Sequence, residues 1–354
     1  MVKSNYKVIG VMSGTSLDGI DIIYTEYSFN RHWSFKIYNA KTYTYSKYWK
    51  NTLGQLTNFS KTELEAIDKD YSTYLGEIIK LFTEEFNILD IDFVSSHGHT
   101  ALHQPKRGLT YQIGNLKELA NEVNLKAICN FRVQDVELGG QGAPLVPIGD
   151  KLLFGKYDYC LNLGGFANIS FQANENRIAF DICPVNIVLN HYVKKMGLEY
   201  DAEGKISKSG YIHSKLLDQL NALDFYNQKP PKSLGLEWVI DFIFPVIERY
   251  HLSIEDILRT FIEHIAIQIS KYLNQNNKTV FITGGGAYNL FLIERLRGLT
   301  KTKIIIPKND IIEYKEALIF GFLGVLKERN EVNCLSSVTG ASKDHSSGCI
   351  FDIE

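Results

Sequence analysis

The chain has no Cys-x-x-Cys pair, no block of like charges and no apolar run approaching a membrane span. Each absence removes a class of protein. The cysteines at 129, 160, 183, 334 and 349 are odd in number and widely spaced, which favours neither a disulfide framework nor a zinc knuckle. With 38 basic residues against 40 acidic ones, the charge pattern offers nothing to nucleic acid. The N-terminus lacks the apolar core of a signal peptide, and a soluble cytoplasmic protein is expected. What remains is 354 residues, 45% hydrophobic, enough for a full core and for two domains.

Glycine-rich turns between apolar runs organise this chain. The first is Val8-Ile-Gly-Val-Met-Ser-Gly-Thr-Ser-Leu-Asp-Gly-Ile-Asp21, followed by Ile22 and Ile23. It reads as a β-hairpin whose tip presents backbone N–H groups and the hydroxyls of Ser13, Thr15 and Ser16 to an anion. Gly14 and Gly19 are expected to supply positive φ and close backbone approach. Asp18 and Asp21 cannot bind phosphate, but suit Mg²⁺ held through water, or sugar hydroxyls. An ordinary solvated turn is the competing reading. The theme recurs in Tyr159-Cys-Leu-Asn-Leu-Gly-Gly-Phe-Ala-Asn-Ile-Ser-Phe171, about one domain length later. Two such hairpins indicate a duplicated architecture with a ligand between the halves. A third turn, Gly284-Gly-Gly-Ala-Tyr-Asn289, joins a buried-type strand to a helix and sets bare backbone against a ligand. Its spacing is not that of a dinucleotide fingerprint.

Between these turns lie elements of plainer character. Ser60-Lys-Thr-Glu63 is a capping-box pattern opening a long helix with Leu64, Ile67, Tyr71, Tyr74, Ile78, Phe82 and Phe86 on its core face. Ser253 opens another, carrying Ile257, Leu258, Phe261, Ile262, Ile265, Ile269 and Leu273. His97, His99 and His103 follow a short strand; hydrogen bonding or substrate lining is favoured over a metal site, since no carboxylate stands at ligand spacing. Arg132 is either an anion anchor or the ion-pair partner of Asp135. The segment 135–147 is either an interdomain connector or a binding loop. Asp181, at a strand end, is either a cleft acid or a helix cap. Glu316 stands out near the start of a helix apolar almost all round, and is expected to be buried. The tail from Asn333 is loop-like, with mobility an open reading.

Taken in order, these blocks resemble the anhydro-N-acetylmuramic acid kinases of bacterial cell-wall recycling. The likeness runs nearly end to end, through Gly10–Asp21, Ser96-His-Gly98, Gln112-Ile-Gly114, Asn130-Phe-Arg132, Gly139–Pro147, Leu161–Gly165 with Ala167 and Asn168, Gly284–Ala287 with Asn289, and Glu316-Ala317. It implies an α/β, two-domain actin-like ATPase or sugar kinase fold with the nucleotide in the interdomain cleft. The division expected is residues 1–132 and 133–330, with 330–354 as candidates to complete the first domain. It also implies ATP and Mg²⁺ as cofactors, an amino sugar as substrate, and a homodimer. Asp181 is then the base that activates water, with Glu316 near the same water or sugar. Cofactor contacts fall to Gly14, Thr15, Ser16, Leu17, Asp18, Gly19, Ile20, Asp21, Gly164, Gly165, Asn168, Gly284, Gly285, Gly286 and Asn289. Substrate contacts fall to Ser13, His97, Arg132, Gln141 and Asn186, and Mg²⁺ to Asp18 and Asp21.

The chain departs from the family pattern at three places. After Asp181 the usual Thr-Gly-Pro-Gly-Asn is Ile182-Cys-Pro-Val-Asn186, His99 replaces a Gln, and Asn115 replaces an Asp. Two further readings follow from these departures: a sugar kinase of this fold acting on another amino sugar, and a nucleotide-binding sensor that has lost the chemistry.

Overall fold

The computed structural model describes residues 3–14 and 16–353. It divides into two compact units, residues 1–153 with 314–354, and residues 154–313.

The first unit opens on the expected meander. β1 (Asn5–Ser13), β2 (Ile20–Asn30) and β3 (His32–Tyr43) pair antiparallel in sequence. On its other edge β1 pairs parallel with β4 (Phe93–Ser96). β5 (His99–Gln104) and β6 (Leu109–Ile113) form a separate hairpin. β7 (Ala127–Cys129) runs parallel to β4, and the C-terminal strand Cys349–Phe351 closes that edge antiparallel to β7.

The helix Lys61–Glu85 starts on the capping box: Ser60 accepts from the Glu63 N–H, and the Glu63 carboxylate reaches back to the Ser60 N–H. Its buried face runs through Leu64, Asp68, Tyr71, Leu75, Ile79 and Phe82. The expected Ile67, Tyr74, Ile78 and Phe86 form only the half-buried rim. The stripe is rotated because Asp68 belongs to it, accepting hydrogen bonds from the Gly114 N–H (2.7 Å) and the Tyr111 hydroxyl (2.6 Å).

The second unit repeats the plan. β8 (Tyr159–Leu163), β9 (Phe166–Ala173) and β10 (Asn176–Pro184) form an antiparallel meander, and β8 pairs parallel with β11 (Thr279–Thr283), which pairs parallel with β12 (Lys303–Ile305). Both sheets thus have the order third, second, first, then parallel strands. This is the duplicated α/β organisation of the actin-like ATPase and sugar kinase fold that the resemblance implies. The helix Ile254–Ser270 buries Ile257, Leu258, Phe261, Ile262, Ile265 and Ile269, as its periodicity predicts. Each such side chain contributes about 1.5–3 kcal/mol by leaving water.

Three boundaries differ from the sequence reading. The segment 135–147 is no connector: it lies within the first unit, folded around the buried Asp135 carboxylate, which accepts from the Gly142 N–H at 2.7 Å. The chain leaves that unit only after Leu153 and returns at Tyr314, inside the helix Asn309–Glu328, whose geometry breaks at that residue (φ −108°, ψ 15°). The tail from Asn333 is packed, with the Asn333 amide donating to the carbonyls of Leu323 (3.1 Å) and Ser347 (2.9 Å).

Candidate active site

In the first unit, β4 delivers His97 to its C-terminal end, where ligands collect in open α/β sheets. The His97 Nδ1–H donates to the Gly98 carbonyl (2.8 Å), so Nε2 carries the lone pair and accepts from Arg132 Nε–H (2.8 Å). The ring lies 4.5 Å from that of Phe320. Burial, with the Arg132 charge beside it, holds His97 well below the ordinary histidine range, so it stays neutral. Arg132 makes one more contact, from Nη1 to the Gly142 carbonyl at 3.3 Å. Its expected alternative partner, Asp135, is committed elsewhere. Burial lowers the guanidinium to about 10, while Glu316 opposes the shift through space. Nη2 has no hydrogen-bond partner among the described residues, which leaves one edge of the fork available to an anion.

Glu316 corrects the sequence reading. The helix begins at Asn309, so Glu316 is interior to it, and its side chain is solvent-accessible. Protein atoms nonetheless crowd the carboxyl enough that desolvation raises its pKa, with Arg132 and Lys315 pulling it back. The buried charge is its neighbour: Lys315 Nζ lies 2.7 Å from Asp150 Oδ1. That ion pair ties the helix to the helix Val146–Leu153. The Ser95 and Tyr27 hydroxyls donate to the Phe320 and Leu318 carbonyls (both 2.6 Å) and fix the helix on the sheet.

The β1–β2 turn differs in detail from expectation. The Ser13 hydroxyl does not face outward: it is 1% exposed and engages Tyr45 (2.6 Å), Tyr71 (2.7 Å) and His99 Nδ1 (3.0 Å). Neither Gly14 nor Gly19 takes positive φ; Leu17 does, at 59°. Gly19 is required for another reason, since a Cβ there would stand 2.6 Å from the Tyr43 carbonyl oxygen. Ile20 is buried in the core and Leu17 packs against the cluster around Trp49 and Tyr71, so only their backbones can meet a ligand. Ser16 and Asp18 are exposed, and Asp21 accepts from Thr42 Oγ1 (2.6 Å). Thr15 lies outside the described residues. The three histidines are not a metal cluster: His97, His99 and His103 take separate partners, the last being Thr110 Oγ1 at 3.1 Å.

In the second unit, β10 presents Asp181, half-buried, at a bulge between Asp181 and Cys183. The Leu234 N–H donates to its Oδ2 (2.8 Å), and its own N–H donates to the Lys232 carbonyl (3.0 Å). Oδ1 has no hydrogen-bond partner among the described residues. Desolvation raises the carboxyl pKa and the Leu234 bond offsets part of the rise. Asp181 does not cap the helix Asn186–Lys194; the N–H groups at that helix start donate instead to the carbonyls of Gly164 and Gly165. The family-pattern departures Ile182, Cys183 and Val185 are buried in the apolar core of the second unit.

Register places Asp181 opposite Asn168, Asn168 opposite Asn162, and Asn162 opposite Thr283. Side chains opposite one another share a face, so these four form a polar row across the sheet. Asn162 and Thr283 escaped the sequence reading, which saw strands but not their register. Thr283 Oγ1 is buried without a hydrogen-bond partner among the described residues. The row ends at the triple glycine. Gly284 has φ 81°, and a Cβ there would lie 2.5 Å from Asn162 Oδ1; a Cβ at Gly286 would lie 2.7 Å from Leu163 Cβ. Those two glycines serve packing, and Gly285 is the exposed one. Asn289 is a buried helix cap, accepting from the Leu292 N–H at 2.9 Å. Asn186 donates to the Leu163 carbonyl (3.2 Å), and Gln141 is exposed.

Two α/β units of one topology, each with a glycine turn after its first strand, have the organisation of the actin-like ATPase and sugar kinase class. The family model described as anhydro-N-acetylmuramic acid kinase matches residues 6–353, and the chain belongs to that family. Curated relatives of that name include one from Aliivibrio fischeri, 31% identical over 98% of this chain and 99% of its own. Another, from Mannheimia succiniciproducens, is 32% identical over 99% and 100%. Among solved structures, the activator of 2-hydroxyisocaproyl-CoA dehydratase from Clostridium difficile with bound ADPNP is 15% identical, covering 91% of this chain and 97% of that one, with a TM-score of 0.46. That likeness adds nothing to the topology already traced.

Proposed function

We propose that this chain is an ATP-dependent kinase that opens 1,6-anhydro-N-acetylmuramic acid with water and phosphorylates O6, giving N-acetylmuramic acid 6-phosphate and ADP. The observation that carries the reading is Asp181, with one oxygen pinned by the Leu234 N–H and the other uncommitted. Opening the internal acetal needs water activated at C1 and a stabilised leaving oxygen at C6. Inverting glycosidases meet both needs with two carboxyls. Here the γ-phosphoryl group takes the electron pair of O6 in place of a proton, so one base suffices: Asp181 accepts the water proton as C1–OH forms and the C1–O6 bond breaks.

Phosphoryl transfer leaves the protein to position groups and stabilise charge. Phosphate contacts are assigned to the backbone of the Gly14–Asp21 turn and to Gly164 and Gly165, with adenosine contacts at Gly285. Asp18, exposed and without a hydrogen-bond partner among the described residues, fits Mg²⁺ held through water better than Asp21, which already serves Thr42. The ion would offset the charge developing on the transferred phosphate. Arg132, with no carboxylate in direct contact, fits the lactyl carboxylate of the sugar, and Glu316 the water or a hydroxyl near it. A cytoplasmic place in peptidoglycan recycling and a homodimeric state belong to the same proposal.

A coupled ADP-release assay with and without the anhydro sugar tests it. ADP equal in amount to sugar 6-phosphate, abolished in Asp181→Asn, is expected. ADP release indifferent to the sugar would favour the sensor reading, and release with other amino sugars alone would favour a different substrate.

A further inference from the structure

In the first unit, Asp135, Cys334 and His345 bring one carboxylate oxygen, Sγ and Nε2 within 4.8 Å of one another, all three residues buried. We propose that this trio is a binding site for one thiophilic divalent cation of the Zn²⁺ kind. Asp135 Oδ1 lies 3.0 Å from Cys334 Sγ and 3.7 Å from His345 Nε2. Ligands about 2.0–2.3 Å from a tetrahedral Zn²⁺ stand roughly 3.2–3.8 Å apart, close to the two distances from Asp135 Oδ1. The backbone prepares it: Cys334 and His345 form an isolated antiparallel bridge, exchanging N–H to carbonyl bonds of 3.1 and 3.2 Å, which sets their side chains on one side.

The histidine supplies the independent observation. Its Nδ1–H donates to the Lys343 carbonyl (3.1 Å), and its Nε2 lies toward Asp135 Oδ1. That nitrogen is buried, in a residue 5% exposed, and has no hydrogen-bond partner among the described residues. A buried ring nitrogen without a partner is costly, and a cation held between it and the carboxylate oxygen removes the cost. Outer contacts hold the carboxylate too: the Gly142 N–H donates to Oδ2 and the Thr339 hydroxyl to Oδ1 (both 2.7 Å). On binding, the Cys334 S–H bond to Asp135 gives way to a metal–thiolate bond and the thiol proton leaves to solvent. Three protein ligands suffice, with water as the fourth. The ion would staple the glycine-rich segment after Arg132 to the C-terminal segment.

The test uses the full chain, stripped with chelator and titrated with Co²⁺. One equivalent producing a thiolate-to-cobalt charge-transfer band is expected, lost in Cys334→Ser and His345→Gln and kept in Cys349→Ser. Zn²⁺ in hundredfold excess over its dissociation constant should raise Tm by on the order of 5 °C in the wild type and in neither ligand variant. Absence of the band in the wild type overturns the proposal whether or not the variants fold, and makes the trio a Cys334–Asp135 hydrogen bond with His345 beside it. A band persisting in Cys334→Ser overturns it equally.

Discussion

Asp181 combines a fixed oxygen with a free one, and its environment tunes what the free one can do. Burial lifts its pKa above 3.8, and a general base works only when ionised. The acid limb of kcat/KM is therefore expected above the ordinary aspartate range, falling as pH drops through the raised value. A pH–rate profile checks this, and a limb at the unperturbed value would detach Asp181 from the rate. Arg132→Lys keeps a charge but loses the fork and the bond to His97 Nε2. KM for the sugar is expected to rise at least about tenfold, one charge-assisted hydrogen bond; steady-state kinetics would show it.

Residue identity was more legible than residue company. Asp181 and Arg132 could be singled out from strand ends and charge. That Ser13 would be consumed by Tyr45, Tyr71 and His99 could not, since those partners come from three distant segments.

At the scale of elements, packing decides which charges the long C-terminal helix can carry. Lys315→Met leaves Asp150 buried without its ammonium, a loss expected to cost about 3–5 kcal/mol in denaturant unfolding. It also removes one of the charges that hold Glu316 down, so that carboxyl should titrate higher. Gly284→Ala combines positive φ with a Cβ 2.8 Å from the Leu163 backbone carbon. At least about 2 kcal/mol of stability should go, by calorimetry, with nucleotide affinity falling alongside. Periodicity and caps made the helices legible: Ile254–Ser270 buries Ile257, Leu258, Phe261, Ile262, Ile265 and Ile269 as expected, with Ala266 added and Leu273 buried beyond its end. On 61–85 the expected stripe packs against the core, with Leu64, Tyr71 and Phe82 buried, while the buried Asp68 carries no apolar signal and is invisible to periodicity.

For the molecule as a whole, buried neutral histidines set the response to acid. Burial depresses His97, brings His99 to about 4 and His264 to about 3. The unfolded chain binds protons near pH 6.5, so between there and the depressed values it holds more protons than the native state. Stability is therefore full above about pH 6.5 and declines as pH falls toward 4. Urea midpoints across that range should drop steadily, and His264→Gln should flatten the slope. The duplicated topology was visible in the recurring glycine turns. The unit boundaries were not, because the residues near 153 and 313 lie within or beside helices with no change of composition to mark them.

The second unit is one uninterrupted stretch, 154–313, set inside the first. On the ribosome this imposes an order. Every strand of the inserted sheet has been synthesised by Ile305, whereas the enclosing sheet must wait for Cys349–Phe351 to cover β7. The portion begun earliest is finished last, so a nascent chain still lacking residues 349–351 already holds every residue of the insert while the β7 edge of the host stands uncovered.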